Sequence, residues 1–289
     1  MKNLPLQNES FRYLEKSFGE WLETLGYADF TVYALPLHIR ELLHYLEKHG
    51  LSRIKELEIE DLKGYYASLK VRANNRKSGA LSTAHLNKHV QAIRKFCEYL
   101  RQVGRLDLGD LDLKNERSED REIEFLNEDQ IRLLFKATTK PYPRNSRTAD
   151  RFIEVLQSRD RAMLAVFYGC GLRKSEGVNL NISDINFDRS ILHVRKGKRY
   201  KERLVPIGKQ ALKHLQTWVY DDRGYWINNS KLDALFVSER GMRIGGQSLL
   251  LRLKCLQQLT ENPELQEKEI GLHTLRHSIA THLLDNGMP

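Results

Sequence analysis

His273-Thr274-Leu275-Arg276-His277-Ser278-Ile279-Ala280-Thr281-His282, near the end of a 289-residue chain, sets two imidazoles and a guanidinium along one helical turn. His273 and Arg276 are three apart, so both can address one group. Histidine moves protons near neutral pH, and arginine neutralises charge growing on a phosphorane. Two other readings stay open here. One is a helix start with a satisfied histidine and a solvated arginine. The other is a metal pair, since His273 and His277 have i, i+4 spacing. Against a metal, the run lacks the glutamate of a zinc-protease helix, and Arg276 opposes a cation.

Upstream, Tyr168-Gly169-Cys170-Gly171-Leu172-Arg173-Lys174-Ser175-Glu176 places another arginine straight after a glycine-bracketed break. The break ends one helix and Arg173 begins the next. That puts a guanidinium near a helix N-terminus, where an anion is favoured. A guanidinium can grip two phosphate oxygens at once. The plainer reading is a surface salt bridge from Arg173 to Glu176.

Between these runs the period changes to two. Ile191, His193 and Arg195 alternate with Leu192 and Val194, and Arg203-Leu204-Val205-Pro206 returns after a Gly-Lys turn. The hairpin tip, Arg195 to Arg203, holds six basic residues and one glutamate. Crowding that much like charge on a turn costs stability, so a phosphate-rich ligand is its natural counterpart. A solvated charged hairpin is the alternative.

Up to about residue 104 the pattern is helical. Phe11, Leu14, Phe18, Trp21, Leu22 and Leu25 recur at three and four, as do Leu35, Ile39, Leu42, Leu43 and Leu46. A third helix is expected over Ile59 to Val71. A fourth starts at Leu81-Ser82-Thr83, with Leu86, Val90, Ile93, Phe96, Cys97 and Leu100 on one face. Short connections make this a compact bundle. The polar loop Arg72 to Gly79 joins helices three and four. Asp107 to Asp120 shows no apolar face and reads as a charged linker. Helix resumes at Asn127-Glu128-Asp129-Gln130, a capping signature. Further helices are expected over Phe152 to Tyr168, Gln210 to Val219, Gly246 to Leu259 and Thr274 to Asp285. Leu235-Phe236-Val237 has no assignment.

The chain is 40% hydrophobic and carries a net charge of +9. Basic residues exceed acidic ones 18 to 15 through Lys114 and 29 to 23 beyond it, so both halves suit a polyanion. No apolar stretch reaches transmembrane length, and Met1 to Ser10 is polar, which points to the cytoplasm. Cys97, Cys170 and Cys255 lie far apart in apolar helical contexts, so they read as buried thiols rather than a zinc site or disulfides.

Together these features resemble the tyrosine recombinase family, the phage-type integrases that include the Xer-type recombinases. The matches are Gly171-Leu172-Arg173-x-Ser175-Glu176, Gly197-Lys198-x-x-Lys201-Glu202-Arg203-x-Val205-Pro206, and His273-x-Leu275-Arg276-His277-Ser278-x-Ala280-Thr281-His282-Leu283-Leu284. They stand in family order. Leu81-Ser82-x-x-x-Leu86-Asn87 looks like a helix start of the family's core-binding domain, so the resemblance spans nearly the whole chain. Its implied fold is mainly α. A four-helix core-binding (SAM-like) bundle over 1–106 is followed by a linker over 107–122. An α+β catalytic domain with a small antiparallel sheet covers 123–289.

The resemblance also implies roles. Arg173 and Arg276 would clamp the scissile phosphate, His273 would assist proton transfer, and Lys198 would protonate the leaving 5′-oxygen. Glu176 would orient the Arg173 helix. Candidate DNA contacts are Arg76 and Lys77 in the loop and His85 and Lys88 on the fourth helix. Arg195, Lys196, Arg199, Lys201 and Arg203 of the hairpin join them, with His277. The implied reaction passes through a 3′-phosphotyrosine, so it needs no ATP, cofactor or metal. The two domains would close on double-stranded DNA as a C-shaped clamp, with four protomers on two duplexes. A topoisomerase-like relaxing activity would use the same residues but fits the motif spacing less well.

In the family the tyrosine lies a few dozen residues beyond the His-x-x-Arg motif. Here thirteen residues follow Arg276 and none is tyrosine; the last tyrosine is Tyr225. The expectation is a chain short of its tyrosine segment. The alternative is a recombinase-like DNA-binding protein that does not cut.

Overall fold

The computed structural model describes residues 4–74, 79–117, 124–140, 150–195, 202–227 and 231–288. The chain forms two compact units, Met1–Asp120 and Arg121–Pro289.

Unit one is built from α1 (Glu9–Thr24), α2 (Asp29–Lys48), α3 (Ile59–Val71) and α4 (Thr83–Gln102). Asn8 caps α1 by accepting the Ser10 amide at 2.9 Å, and Ser82 caps α4 by accepting the His85 amide. Phe11, Leu14, Phe18 and Leu22 meet Ile39, Leu42, Leu43, Leu46, Val90, Ile93 and Phe96 in one buried core. Phe18 and Phe96 contact edge to face, with centroids 5.5 Å apart.

The segment after α4 differs from its sequence reading. Leu113 is buried, and Leu106, Leu108 and Leu111 pack against the same core. Asn87 pins the segment's end: it accepts the Glu116 amide at 2.7 Å and donates to the Glu116 carbonyl at 2.9 Å. Leucines spaced irregularly along an extended strap give no helical or strand period, so the pattern hid their burial.

Unit two holds α5 (Glu128–Ala137), α6 (Asp150–Leu164), α7 (Lys174–Asn179), α8 (Lys209–Gln216), α9 (Gly246–Leu259), α10 (Pro263–Glu267) and α11 (Leu272–Asp285). A small antiparallel sheet, ordered β1 (Ile185–Asn186), β2 (Ile191–Val194), β3 (Arg203–Pro206), lies between α7 and α8 in the chain. β2 and β3 pair in the register Val194 to Arg203 and Ile191 to Pro206. The fold is thus mainly helical with one small sheet, the class the sequence implied.

α6 continues into a π-turn over Ala165–Gly169, which ends where Arg173 must be presented. The unassigned Leu235-Phe236-Val237 is fully buried. It is held by isolated bridges, Ala234 to Asn181 and Val237 to Arg243, and by Trp218 Nε1, which donates to the Leu235 carbonyl at 2.8 Å. Three residues cannot show a period, which is why no element was assigned. No helix among the described residues is long and apolar enough to cross a membrane.

Candidate active site

A buried carboxylate organises the site. Glu176 sits in the first turn of α7 with its side chain 1% exposed. Its Oε2 accepts the Arg173 backbone N–H at 2.8 Å, capping the helix. Its Oε1 accepts Arg173 Nη1 at 2.9 Å. Arg203 on β3 adds a two-pronged grip, Nη1 to Oε1 at 2.9 Å and Nη2 to Oε2 at 2.7 Å. Burial alone would push this carboxyl up, but donation from Arg203 and Arg173 outweighs it and holds Glu176 at about 2. The carboxylate therefore stays charged and fixes both arginines. Gly177 follows because a Cβ there would stand 2.6 Å from the Phe167 ring.

The second wall is α11. Leu272 and Leu275 are buried, and Ser278 Oγ donates to the Thr274 carbonyl at 2.8 Å while accepting the Leu126 amide at 2.8 Å. These contacts settle which face turns inward. His273 and His277 are exposed and Arg276 is half-buried on the other side. Arg276 donates to the Gly171 carbonyl, two residues before Arg173. Gly171 has φ +58, and a Cβ there would also press on Ile279. The glycine break thus lets α11 reach the Arg173 loop.

The result is a cationic cluster. Burial, and then Arg173, lower the Arg276 guanidinium, while Glu176 opposes them. The His273 imidazole is lowered first by burial, then by His277, Arg276, Lys174 and Arg173. One carboxylate cannot offset Arg173, Lys174, Arg203 and Arg276, so the cluster favours an anion. α7 is only six residues long. Its dipole is correspondingly small, and the side-chain cations carry the attraction that the sequence reading shared with the helix end.

The structure brings Arg173, Glu176, His273 and Arg276 together. Lys198, like Arg76, Lys77, Lys196, Arg199 and Lys201, lies outside the described residues. Arg203 differs from its sequence reading: its guanidinium is engaged by Glu176 rather than directed outward. Arg195 likewise pairs with the buried carboxylate of Asp184. Lys88 is exposed, and His85 is half-buried against two other histidines. Lys174 also acts on His273, and its adjacency to Arg173 is the only trace of this in the sequence. Tyr168 is tied to α11 through its hydroxyl, 3.0 Å from His282 Nδ1.

A paired-arginine, histidine-bearing cluster on a mainly helical domain with a small sheet defines a candidate phosphoryl-transfer site. Residues 124–289 match the model of the phage integrase family. Tyrosine recombinase XerD of Oceanobacillus iheyensis is 31% identical over 268 residues, covering 91% of this chain and 81% of the relative. XerD of Yersinia pestis is 30% identical, covering 92% and 81%. Two solved folds are similar. One is the XerH site-specific recombinase in a post-cleavage complex with palindromic difH substrate (TM-score 0.67, 17% identity, 96% of this chain and 74% of that one). The other is the Tn1549 transposon integrase with circular intermediate DNA (TM-score 0.66, 17% identity, 96% and 88%). The chain belongs to the phage integrase family, the tyrosine recombinases. Its activity class is site-specific recombination.

Proposed function

We propose that unit two binds the scissile phosphate of a double-stranded recombination site between Arg173 and Arg276. His273 stands beside it for proton transfer, and Lys198 protonates the departing 5′-oxygen. The supporting observation is the Arg276 to Gly171 tie, which brings the α11 guanidinium to the loop carrying Arg173, itself held by buried Glu176, whose charge also acts on Arg276. Glu176 and Arg203 position Arg173 and do not meet the substrate. The helical bundle, residues 1–106, serves as the core-DNA-binding domain, with residues 123–289 as the catalytic domain. Four protomers assemble on two duplexes in the cytoplasm. The XerH and Tn1549 relatives, both solved on DNA, favour duplex DNA as the partner.

The test uses a duplex recovered from a random pool by its binding to this chain. Affinity should fall steeply with salt, because each neutralised phosphate releases counterions. A nicked version of that duplex should give no adduct surviving denaturation with the 289-residue chain, and an adduct once a tyrosine segment follows Arg276. Affinity flat across salt, or an adduct formed by the chain as it stands, would overturn this assignment.

A further inference from the structure

The bundle of unit one holds a histidine set that the proposed chemistry does not use. His85 and His89 lie one turn apart on α4, and His38 faces them from α2. His38 Nδ1 stands 3.3 Å from His89 Nε2. His85 Nε2 stands 3.3 Å from the same atom. All three ligand-capable nitrogens lie within 4.8 Å of one another. His38 and His89 are buried and His85 is half-buried.

Three features distinguish this set from histidines that merely pack. The first is spacing. Metal–nitrogen bonds of about 2.0–2.1 Å in a tetrahedron put neighbouring nitrogens about 3.3 Å apart, which matches both short separations. The second is orientation. The His38 and His89 rings are inclined at 73° and the His85 and His89 rings at 71°, so the rings are tilted rather than stacked face to face, and one nitrogen of each lies within 4.8 Å of the others. The third is an outer partner. His89 Nδ1 is 3.1 Å from the buried Tyr65 hydroxyl, which fixes the ring and, when Nδ1 is the donor, leaves the Nε2 lone pair facing the other two imidazoles. One lone pair cannot satisfy two N–H donors well, whereas a cation among the three uses a lone pair from each.

We propose that His38, His85 and His89 form a transition-metal site of the Zn²⁺ class that clips α2 to α4. A solvent molecule completes the coordination on the side of the half-buried His85. The all-imidazole donor set excludes Mg²⁺ and Ca²⁺, which take oxygen ligands. Lys88 and Arg72 are close enough to oppose a cation, but Arg72 is paired with the buried Glu41 carboxylate. The site contains no cysteine, so cysteine spacing could not reveal it. It lies in the bundle, apart from the residues assigned to phosphoryl transfer, and its role is structural.

The experiment titrates the chelator-treated full chain with zinc chloride, following stoichiometry by calorimetry and elemental analysis. One Zn²⁺ per chain is expected, with a raised Tm. Cobalt(II) in place of zinc should show the visible absorption of a tetrahedral ion, a reading that needs no variant. His85→Gln, at the half-buried position, should keep the helical circular dichroism and lose the stoichiometric metal and the Tm shift; His38→Gln is the second variant. Failure to take up one zinc, an octahedral cobalt spectrum, or undiminished uptake by both variants would overturn the site. Loss of uptake on His277→Gln instead would place the metal elsewhere and overturn it equally.

Discussion

Two clusters of nitrogen-bearing side chains show how differently one chain can treat the same chemistry. In unit two, Arg173, Arg203 and Arg276 are half-buried and His273 is exposed, and the three guanidiniums keep an excess of positive charge around the Glu176 carboxylate. In unit one, His38 and His89 are buried, and among the described residues their hydrogen-bond contacts are histidines and Tyr65, with no acid. Burial first, then the neighbouring imidazoles, and then Arg72 (with Lys88 for His38), hold His38 at about 4 and His89 at about 2. The first cluster is arranged to meet an anion from solvent. The second is arranged to stay neutral, the state in which an imidazole is a ligand. Changes in the first should therefore reach function before stability, and changes in the second the reverse.

The largest effect should come from the half-buried guanidiniums of Arg173 and Arg276. In a recombinase carrying a tyrosine beyond Arg276, Arg173→Ala or Arg276→Ala should slow strand cleavage by about 10²–10³-fold, the loss typical of one donor to transition-state charge. Duplex affinity should change little, because binding is spread over many phosphates. Single-turnover cleavage beside a gel-shift titration separates the two. Equal losses in both would make these arginines ordinary DNA contacts.

Glu176→Ala comes next. It removes the partner of two guanidiniums that are each about one-third exposed. Deleting one member of a buried pair costs about 3–5 kcal/mol, and solvent access to the arginines puts this case at the lower end. Denaturant unfolding should show that loss together with reduced cleavage. An unchanged unfolding midpoint would mean that Glu176 does not organise the cluster.

Acid should separate the clusters by pH. For His38 and His89 the folded values lie below the ordinary imidazole value of 6.5. Their stabilising contribution is present above about 6.5 and is lost as pH falls, because the unfolded chain binds protons the folded bundle refuses. For Glu176 the folded value also lies below its reference, so its contribution is lost only as pH falls from 4.5 to about 2. His214 and His273 move in the same direction as the bundle histidines, but both are less enclosed than His38 and His89, His214 being half-buried and His273 exposed with only part of its ring desolvated. With chelator present, Trp21 in unit one should report loosening before Trp218 and Trp226 in unit two. Simultaneous change in a fluorescence titration of single-tryptophan variants would contradict the buried, neutral state of the histidine cluster.

The same contrast explains what could be read from the sequence. Arg173 with Glu176, and His273 with Arg276, are each local pairs three residues apart, so their spacing named them before any fold existed. The apolar periods of α1 to α4 did the same for the bundle. Partners brought in from afar were not legible: Arg203 reads as one more cation on a basic hairpin until β3 carries it to Glu176. His38 on α2 is separated from His89 on α4 by the whole of α3, and only the His85 to His89 spacing left a trace. Charge runs tell which residues want an anion, but not which of them an internal carboxylate has already taken.

The smallest effect lies within the exposed cluster and tests whether its members share one field. After burial, His277 is the foremost charge acting on His273, ahead of Arg276, Lys174 and Arg173. His277→Ala removes a repulsion against imidazolium, so the His273 pKa should rise towards its ordinary value while staying below it, since burial and the three remaining cations persist. Proton NMR titration of the His273 ring, with Arg276→Ala as a second variant moving in the same direction, measures this. A neutral His273 at working pH is the form able to accept a proton, so the pH dependence of cleavage should shift upward with it. A His273 titration indifferent to both substitutions would mean that the neighbouring charges of α11 do not act on His273, and the contrast with the histidines of α2 and α4 would reduce to burial alone.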